Sequence, residues 1–337
     1  MKTPAKKRGT DPSPRDEGAG RGAPSPPAIE IKTILVPLDF SRGSIEALDY
    51  AVTVAKQYHA AIHLIHVHPP DEASSVPRAG HLMLQSAHAI QFLREELTNI
   101  QRKHVEPFWP ENCHVRGGRP YQEIVELARE INADLIILST RGRTGLKRVL
   151  LGSTAERVVR SAPCPVLVVR KRKQKSKVAR KALSIGTILV PVDFSECSLA
   201  GVKYAAFLAR TLGAKLRLFH AMYPYGDYVI ADRVGTRLSS LIEAERAAAR
   251  EEMEELKHAD FLHGVSTETK IGIGYAIDEI CGAARQPDID LIVTSTHGRT
   301  GFKHALIGSV AEHVVRYADC PVMVVPSQCA LSSETEG

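Results

Sequence analysis

Two stretches rich in glycine, arginine and serine have the residue types and spacing best suited to chemistry. The first, STRGRTGLKRVLLGS, covers residues 139–153, and the second, STHGRTGFKHALIGS, covers 295–309. Each ends in a glycine–serine pair just before a helical pattern, where free backbone N–H groups and the helix dipole favour an anion. The pairs Gly152–Ser153 and Gly308–Ser309 therefore predict a phosphate site, with the serine hydroxyl as a further donor.

The same pairs also fit an ordinary loop and helix cap, and the residues alone leave both interpretations open. The spacing is not that of a Walker A loop, because the lysine and Ser/Thr do not follow a GxxxxG frame. It is not the Rossmann fingerprint either, because the stretch follows the fourth predicted strand and not the first.

An aspartate follows the first predicted strand of each copy, in PLDFS at 37–41 and PVDFS at 191–195. The carboxylates of Asp39 and Asp193 could accept hydrogen bonds from an amine or from ribose hydroxyls. They could equally support a helix cap, since Ser41 and Ser195 stand close by. A phosphoacceptor role of the receiver-domain type is not favoured, because it needs a paired acid and a lysine in strand five.

The chain contains one unit written twice. Residues 142–169 and 298–325 are identical at 19 of 28 positions, which indicates a duplicated module. Each copy alternates short apolar runs with longer amphipathic ones, and this predicts parallel strands covered by helices on both faces. The amphipathic runs predict long helices at 79–106 and about 234–263, and a shorter helix with Pro120 in its first turn. We expect an α/β protein of two tandem doubly wound five-stranded parallel-sheet domains, with the ligand beyond the carboxyl ends of strands one and four.

Basic composition marks a tail before the first copy and a linker between the two copies, and the extent of the family resemblance described below implies the limits of the two domains. The predicted segments are a disordered tail (1–30), a first domain (31–170), a basic linker (171–184), a second domain (185–326) and a C-terminal tail (327–337).

The net charge of +6 resides in the first tail and the linker region, RKRKQKSKVARK at 170–181. The folded parts are therefore net negative, which makes nucleic acid an unlikely partner. Neither a signal peptide nor a membrane span is indicated, so we expect a cytoplasmic protein.

Two further groups of residues are interpreted as packed side chains without a chemical role. Cys164 and Cys320 precede an apolar strand in each copy, as small buried hydrophobes do. His63, His66 and His68 alternate along one predicted strand and could form half of a metal site, but packed histidines are favoured because no cysteine or carboxylate cluster accompanies them.

These residues resemble the universal stress protein family over nearly all of 31–170 and 185–326. The nucleotide-binding branch of that family carries the frame GxxGxxxxxxxxxG[ST], and here the first glycine of the frame is serine in both copies. The matching positions are Ser139, Gly142, Gly152 and Ser153, and then Ser295, Gly298, Gly308 and Ser309.

The resemblance implies a fold of the adenine nucleotide alpha hydrolase type and a stress-response regulatory protein that binds ATP or another adenine nucleotide, with accompanying Mg²⁺ left open. It implies adenine and ribose contacts from Pro37, Asp39 and Val67 after strand two, and from Pro191, Asp193 and Ala221. It implies ribose and phosphate contacts from Ser139, Arg141, Gly142, Gly152, Ser153 and Thr154, and from Ser295, His297, Gly298, Gly308, Ser309 and Val310.

The resemblance also implies an intramolecular pseudo-dimer of the two copies through their fifth-strand edges, and leaves a homodimer and protein partners open. Because Ser139 and Ser295 replace glycine, two alternatives remain. One is a nucleotide-free interaction scaffold of the same fold, and the other is a slow ATP hydrolase. No residue is assigned a catalytic role, because no general base or Walker B acid is evident, so any activity is at most a weak ATPase.

Overall fold

The computed structural model describes residues 29–68, 79–107, 109–140, 151–170, 185–223, 235–298 and 308–326. Within these ranges the first half of the chain alternates strands and helices in the predicted order. Its elements are β1 (Thr33–Pro37), α1 (Arg42–Tyr58), β2 (Ala61–His68), α2 (Ala79–His104), β3 (Cys113–Gly117), α3 (Pro120–Glu130), β4 (Leu135–Ser139), α4 (Ser153–Ser161) and β5 (Val166–Val169).

The second half repeats the same order of elements. They are β6 (Thr187–Pro191), α5 (Glu196–Leu212), β7 (Lys215–Met222), α6 (Gly235–Lys257), β8 (Thr267–Ile273), α7 (Ala276–Ala284), β9 (Leu291–Ser295), α8 (Ser309–Tyr317) and β10 (Val322–Val325).

All the strands belong to one ten-stranded sheet with the order β3-β2-β1-β4-β5-β10-β9-β6-β7-β8. Within each half the strands run parallel, and the order reverses between β1 and β4 and between β6 and β9. This confirms the predicted doubly wound domain in each half. The halves meet where β5 and β10 pair antiparallel, with Val168 opposite Val322. Because of that pairing, the carboxyl ends of the two sets of parallel strands lie at opposite edges of the sheet.

Both faces of the sheet are buried, as the near-continuous apolar strands predict. On one face of the first half, Ile34 and Leu64 pack in a core that includes Leu48 of α1. On the other, Leu35 and Ile65 pack in a core with residues of α3 and α4. Alternate residues of one strand thus serve two helical layers, and this fixes the register of each strand against its neighbours.

The starts of the helices are set by residues at or next to their first turns. Ser41 caps α1 by accepting from the backbone N–H of Ser44 (3.2 Å), and Pro120 opens α3 as expected. The long helices, expected at 79–106 and about 234–263, end earlier, and the second is followed by a separate 3₁₀ turn at Asp260–Leu262. In the described ranges no helix is both long and apolar enough to cross a membrane.

Polar contacts join the two halves beside the β5–β10 pair. Arg170, directly after β5, donates through Nη2 to the carbonyl oxygens of Val315 (2.9 Å) and Arg316 (2.6 Å) near the end of α8. Glu156 of α4 lies 3.7 Å from Arg316. A cation at these carbonyls is favourable because the helix dipole is negative at that end, so Arg170 ties the first half to the helix whose start belongs to the second candidate site.

Candidate functional site

The aspartate after the first strand of each half is held in a tight turn. Oδ1 of Asp39 accepts from the backbone N–H of Ser41 at 3.0 Å. Oδ1 of Asp193 accepts from the backbone N–H of Ser195 at 3.1 Å and from its hydroxyl at 2.6 Å. The helix cap itself is the serine, whose hydroxyl accepts from the first turn. The aspartate therefore orients the turn through one oxygen and is not the cap.

The residue after each aspartate has a left-handed backbone, with φ of 61° at both Phe40 and Phe194. Each phenylalanine packs on a histidine of the neighbouring strand, with ring centroids 4.4 Å apart for Phe40 and His66 and 4.9 Å for Phe194 and His220. Nδ1 of His66 donates to the carbonyl oxygen of Leu38 at 2.7 Å. His66 thus supports the turn that carries Asp39, a role that the sequence did not reveal.

The predicted glycine–serine pairs stand at the starts of the last helices. Gly152 is the N-cap of α4 and Gly308 the N-cap of α8, with nearly equal backbone angles. Ser153 and Ser309 are the first helical residues, and no side chain caps either helix in the described structure. The first-turn N–H groups are therefore left to a loop, to water or to a ligand.

Each helix start is held against the end of the neighbouring strand. The N–H of Gly152 donates to the carbonyl of Thr140 at 3.1 Å, and that of Gly308 donates to Thr296 at 2.7 Å. A Cβ on Gly308 would lie 3.4 Å from that carbonyl oxygen and 3.9 Å from the backbone nitrogen of Gly298. An added Cβ would thus make only van der Waals contact, here and at Gly152, where it would lie 3.5 Å from the carbonyl oxygen of Thr140, so the backbone hydrogen bond is what holds each helix start against the strand end.

In the second half the two parts of the site touch each other. A Cβ on Gly298 would overlap Oδ2 of Asp193, so the carboxylate after β6 lies against the glycine after β9. In the first half Gly142, the counterpart of Gly298, lies outside the described residues, and so does Arg141, the counterpart of His297. The other predicted positions lie at or near the ends of the strands, or at the helix starts, of their own half of the sheet.

The serine at the first position of the glycine frame has its side chain held by a hydrogen bond in the second half. The hydroxyl of Ser295 donates to the carbonyl of His297 at 2.7 Å, and the residue is only 8% exposed. Its Cβ lies 4.0 Å from the place where Gly201 of α5 would carry one. The hydroxyl is therefore engaged by the loop that follows β9, while a Cβ on Gly201 of α5 would lie at van der Waals distance from the backbone nitrogen and Cβ of Ser295. Ser139 ends β4 at the equivalent place and is partly buried.

The remaining predicted positions follow the same pattern in both halves. Val67 and Ala221 lie within β2 and β7, not after them as predicted, one residue before each strand ends. Pro37 and Pro191 end β1 and β6, while Thr154 and Val310 are the second residues of α4 and α8.

The three histidines of HLIHVH, interpreted as packed residues in preference to half of a metal site, do not converge. His66 packs below the Asp39 turn, whereas Nδ1 of His63 lies 3.1 Å from Nε2 of His114 on β3, and His68 is exposed. Among the described residues, no group of three or more His, Cys, Asp or Glu side chains is placed to hold a metal ion.

Fold and site together define a class of protein: tandem doubly wound α/β domains, each with an aspartate and a glycine-led helix at the point where strand order reverses. The family model described as "Universal stress protein family" matches residues 30–170 and again 184–326. The chain therefore belongs to the universal stress protein family.

Individual relatives agree with this assignment. Universal stress protein MJ0531 of Methanocaldococcus jannaschii is 39% identical over 43% of this chain and 85% of its own length. Universal stress protein YxiE of Bacillus subtilis is 32% identical over 41% of this chain and 97% of its own. The solved structure of a universal stress protein from Archaeoglobus fulgidus covers 88% of this chain and 97% of its own, with a TM-score of 0.57 at 20% identity, and so shares the fold.

Proposed function

We propose that this chain is a regulatory protein of the stress response that binds an adenine nucleotide, ATP, ADP or AMP, in each half. The observation that carries the proposal is the contact of Asp193 with Gly298, which itself lies beside the N-cap Gly308. A ribose acceptor and an anion-favouring helix start are thereby adjacent at one edge of the sheet, as a ribose and its phosphates are in a nucleotide.

The phosphates are assigned to the starts of α4 and α8. Each helix is nine residues long, no side chain caps it, and its N–H groups and dipole favour negative charge. In the second half His297, Gly298 and Ser309 surround this position, and Ser309 adds a hydroxyl donor. The ribose hydroxyls are assigned to Asp39 and Asp193, whose Oδ1 atoms are already fixed by the turn, so that the carboxylate is oriented before a ligand arrives.

Mg²⁺ fits the proposal as a companion of the phosphates. It commonly takes one or two carboxylates together with phosphate oxygens and water. Among the predicted positions the carboxylates are Asp39 in the first half and Asp193 in the second, and they would hold the ion.

Isothermal titration of the full chain with ATP, ADP and AMP tests the proposal. We expect two sites per chain, one lost in Asp39→Ala and the other in Asp193→Ala. The matched control is Glu251→Ala on the exposed face of α6, which should keep both sites. Absence of heat with all three nucleotides at millimolar concentration would overturn the proposal and leave the nucleotide-free interaction scaffold in its place.

A second titration addresses the serine that departs from the family frame. Because the Ser295 hydroxyl is engaged by the carbonyl of His297, Ser295→Gly should change the affinity for ATP by less than about threefold. A tenfold gain would mean that the serine obstructs the site.

A further inference from the structure

The helix starts beside the two candidate sites differ in charge. In each half the strands run parallel, so every helix that follows a strand begins near the carboxyl edge of the sheet. The starts of α1, α3 and α4 therefore lie at the edge of the first candidate site, and those of α5, α7 and α8 at the edge of the second. The acids that the two edges share cannot distinguish the sites. They are Asp39, Glu123 and Glu156 in the first half, matched by Asp193, Glu279 and Glu312 in the second.

Four matched positions at these helix starts do differ in charge. They are the first residue of α1 and α5, the N-cap and third residue of α3 and α7, and the fifth residue of α4 and α8. The first half has Arg42, Arg119, Gln122 and Arg157 there, and the second has Glu196, Tyr275, Asp278 and His313. With a neutral histidine, the first set is positive and the second is negative.

Two of the arginines leave their charge open to an anion. Arg157 reaches from α4 to the start of α3, where its guanidinium carbon lies 5.0 Å from the centroid of the Tyr121 ring. Arg119 is the exposed N-cap of α3. Among the described residues, neither Arg119 nor Arg157 pairs with a carboxylate. A cation without a carboxylate partner thus stands at each of these two helix starts.

Two other arginines at this edge are already compensated. Nε of Arg42 lies 3.1 Å from Oε1 of Glu46, one turn further along α1. Arg116 of β3 donates to Glu130, with Nη1 3.0 Å from Oε1. Because each shares its charge with a carboxylate, they add little net charge. The positive character of the first edge therefore comes mainly from the arginines of α3 and α4.

The second edge has the opposite character. His313, at the place of the arginine in α4, folds back on its own helix. Its Nδ1 donates to the carbonyl oxygen of Ser309 at 2.7 Å, and its ring stacks on that of Tyr317. The first turn of α7 contains two successive acids, Asp278 and Glu279. In the part of the chain that the structure describes, no cation pairs with either carboxylate, so an anion at this edge meets negative charge.

We propose that the two halves divide nucleotides by phosphate charge. The first half is the site for a nucleoside triphosphate, and the second half holds a monophosphate at least as well as a triphosphate. This inference rests on the proposed nucleotide binding and names the ligand class of each half. Charges on the protein attract or repel each phosphate over a distance of about 8 Å at physiological salt. ATP has more phosphate charge than AMP, so its binding is strengthened at the first edge and weakened at the second.

The test uses two single-site chains, Asp193→Ala, which keeps the first site, and Asp39→Ala, which keeps the second. Each is titrated with ATP and with AMP at low ionic strength and pH 8, where an ordinary histidine is uncharged. EDTA is present so that no metal ion neutralises the phosphates. The ratio of ATP affinity to AMP affinity should be at least tenfold larger at the first site than at the second. Salt at about 0.3 M should bring the two ratios closer together.

Charge removal tests the arginines directly. Arg119→Gln with Arg157→Gln, in the chain that keeps the first site, should lower the ATP-to-AMP ratio at least fivefold. The matched control is Lys103→Gln with Arg129→Gln. It also removes two exposed positive charges, but at the last turns of α2 and α3, away from the carboxyl edge. The control should leave the ratio unchanged. An unchanged ratio in the Arg119 and Arg157 variant would overturn the division.

The reverse exchange should create the preference. Tyr275→Arg with His313→Arg, in the chain that keeps the second site, should raise the ATP-to-AMP ratio at least fivefold. Equal ratios in the two single-site chains would overturn the division and leave the proposed function standing. The same holds if the first site binds ATP only when a metal ion is present. A full chain without substitutions that binds no adenine nucleotide would overturn both.

Discussion

Oδ2 of Asp193 fills the space in which Gly298 would carry a side chain. The two residues belong to loops after different strands, β6 and β9, which are neighbours where the strand order of the second half reverses. A glycine at residue 298 is thus required by the aspartate opposite and not by the local backbone alone. This relationship makes residue 298 a sensitive place to test the site.

Gly298→Ala should abolish one of the two nucleotide sites, because the new methyl group must displace the Asp193 carboxylate. Titration with ATP should show the stoichiometry falling from two to one per chain, while the unfolding midpoint in urea changes little. The control is Gly282→Ala in α7, where an added Cβ meets no atom within 4 Å. That variant should keep both sites and gain up to about 1 kcal/mol from helix propensity. Two intact sites in Gly298→Ala would contradict the prediction.

Ser41→Ala should lower the free energy of unfolding by about 1 kcal/mol, the usual loss for an N-cap. Ser195→Ala should lower the free energy of unfolding by more than this, because the Ser195 hydroxyl also donates to Asp193 at 2.6 Å. Urea denaturation followed by circular dichroism measures both. Ser161→Ala, at the exposed end of α4, is the control and should be nearly neutral. Equal losses in Ser41→Ala and Ser195→Ala would show that the extra hydrogen bond adds nothing.

Arg170→Met should destabilise the joint between the halves by about 1–2 kcal/mol, because the carbonyls of Val315 and Arg316 lose a charged donor. Methionine keeps much of the apolar stem, so the loss reports on the guanidinium. Denaturation in urea gives the free energy, and hydrogen exchange at α8 should rise more than at α4. Arg129→Met on the exposed side of α3 is the comparison. Unchanged exchange at α8 would argue against the role given to Arg170.

The pair of histidines on β2 and β3 predicts a loss of stability in acid. Burial, followed by the charges of His63 and Arg116, lowers the pKa of His114 from its ordinary 6.5 to about 4. Between those pH values the unfolded chain binds a proton that the folded chain does not. The contribution of His114 to stability is therefore complete above pH 6.5 and is lost as the pH falls toward 4.

Unfolding in urea at pH 7 and pH 4.5 measures the effect. Between pH 7 and pH 4.5, the free energy of unfolding of the wild-type chain should fall by on the order of 2 kcal/mol more than that of His114→Gln. His263→Gln, an exposed histidine, should behave as the wild type does. Equal pH dependence in the wild type and His114→Gln would show that His114 titrates normally.

Much of the fold could be predicted because the signals were local and repeated. Alternating apolar runs and the duplication predicted two parallel five-stranded domains, and the sheet order confirms them. Pro120 and Ser41 predicted helix starts because a fixed φ and a hydroxyl acceptor act within a few residues. Helix ends were less accurate, because the chain after α6 continues into a 3₁₀ turn whose amphipathic pattern resembles that of the helix.

The parts of the site that escaped prediction depend on residues far apart in sequence. Nothing local shows that Gly201 of α5 lies against the backbone of Ser295, or that Gly272 leaves room for Glu279. Both glycines lie inside regular elements, where glycine is normally unfavourable. Their presence was the available signal, but it could not reveal which side chain fills the space.

Because β5 and β10 pair within one chain, the two halves of this molecule can diverge from each other in sequence. In a dimer of identical subunits, every substitution appears on both sides of the two-fold axis. Here the halves share one backbone, so each side can change alone. Arg170 follows β5, whereas Pro326 follows β10 at the equivalent place and cannot return the same contact. Because the two halves are covalently joined, they need not be self-complementary, and each half can acquire side chains that the other lacks.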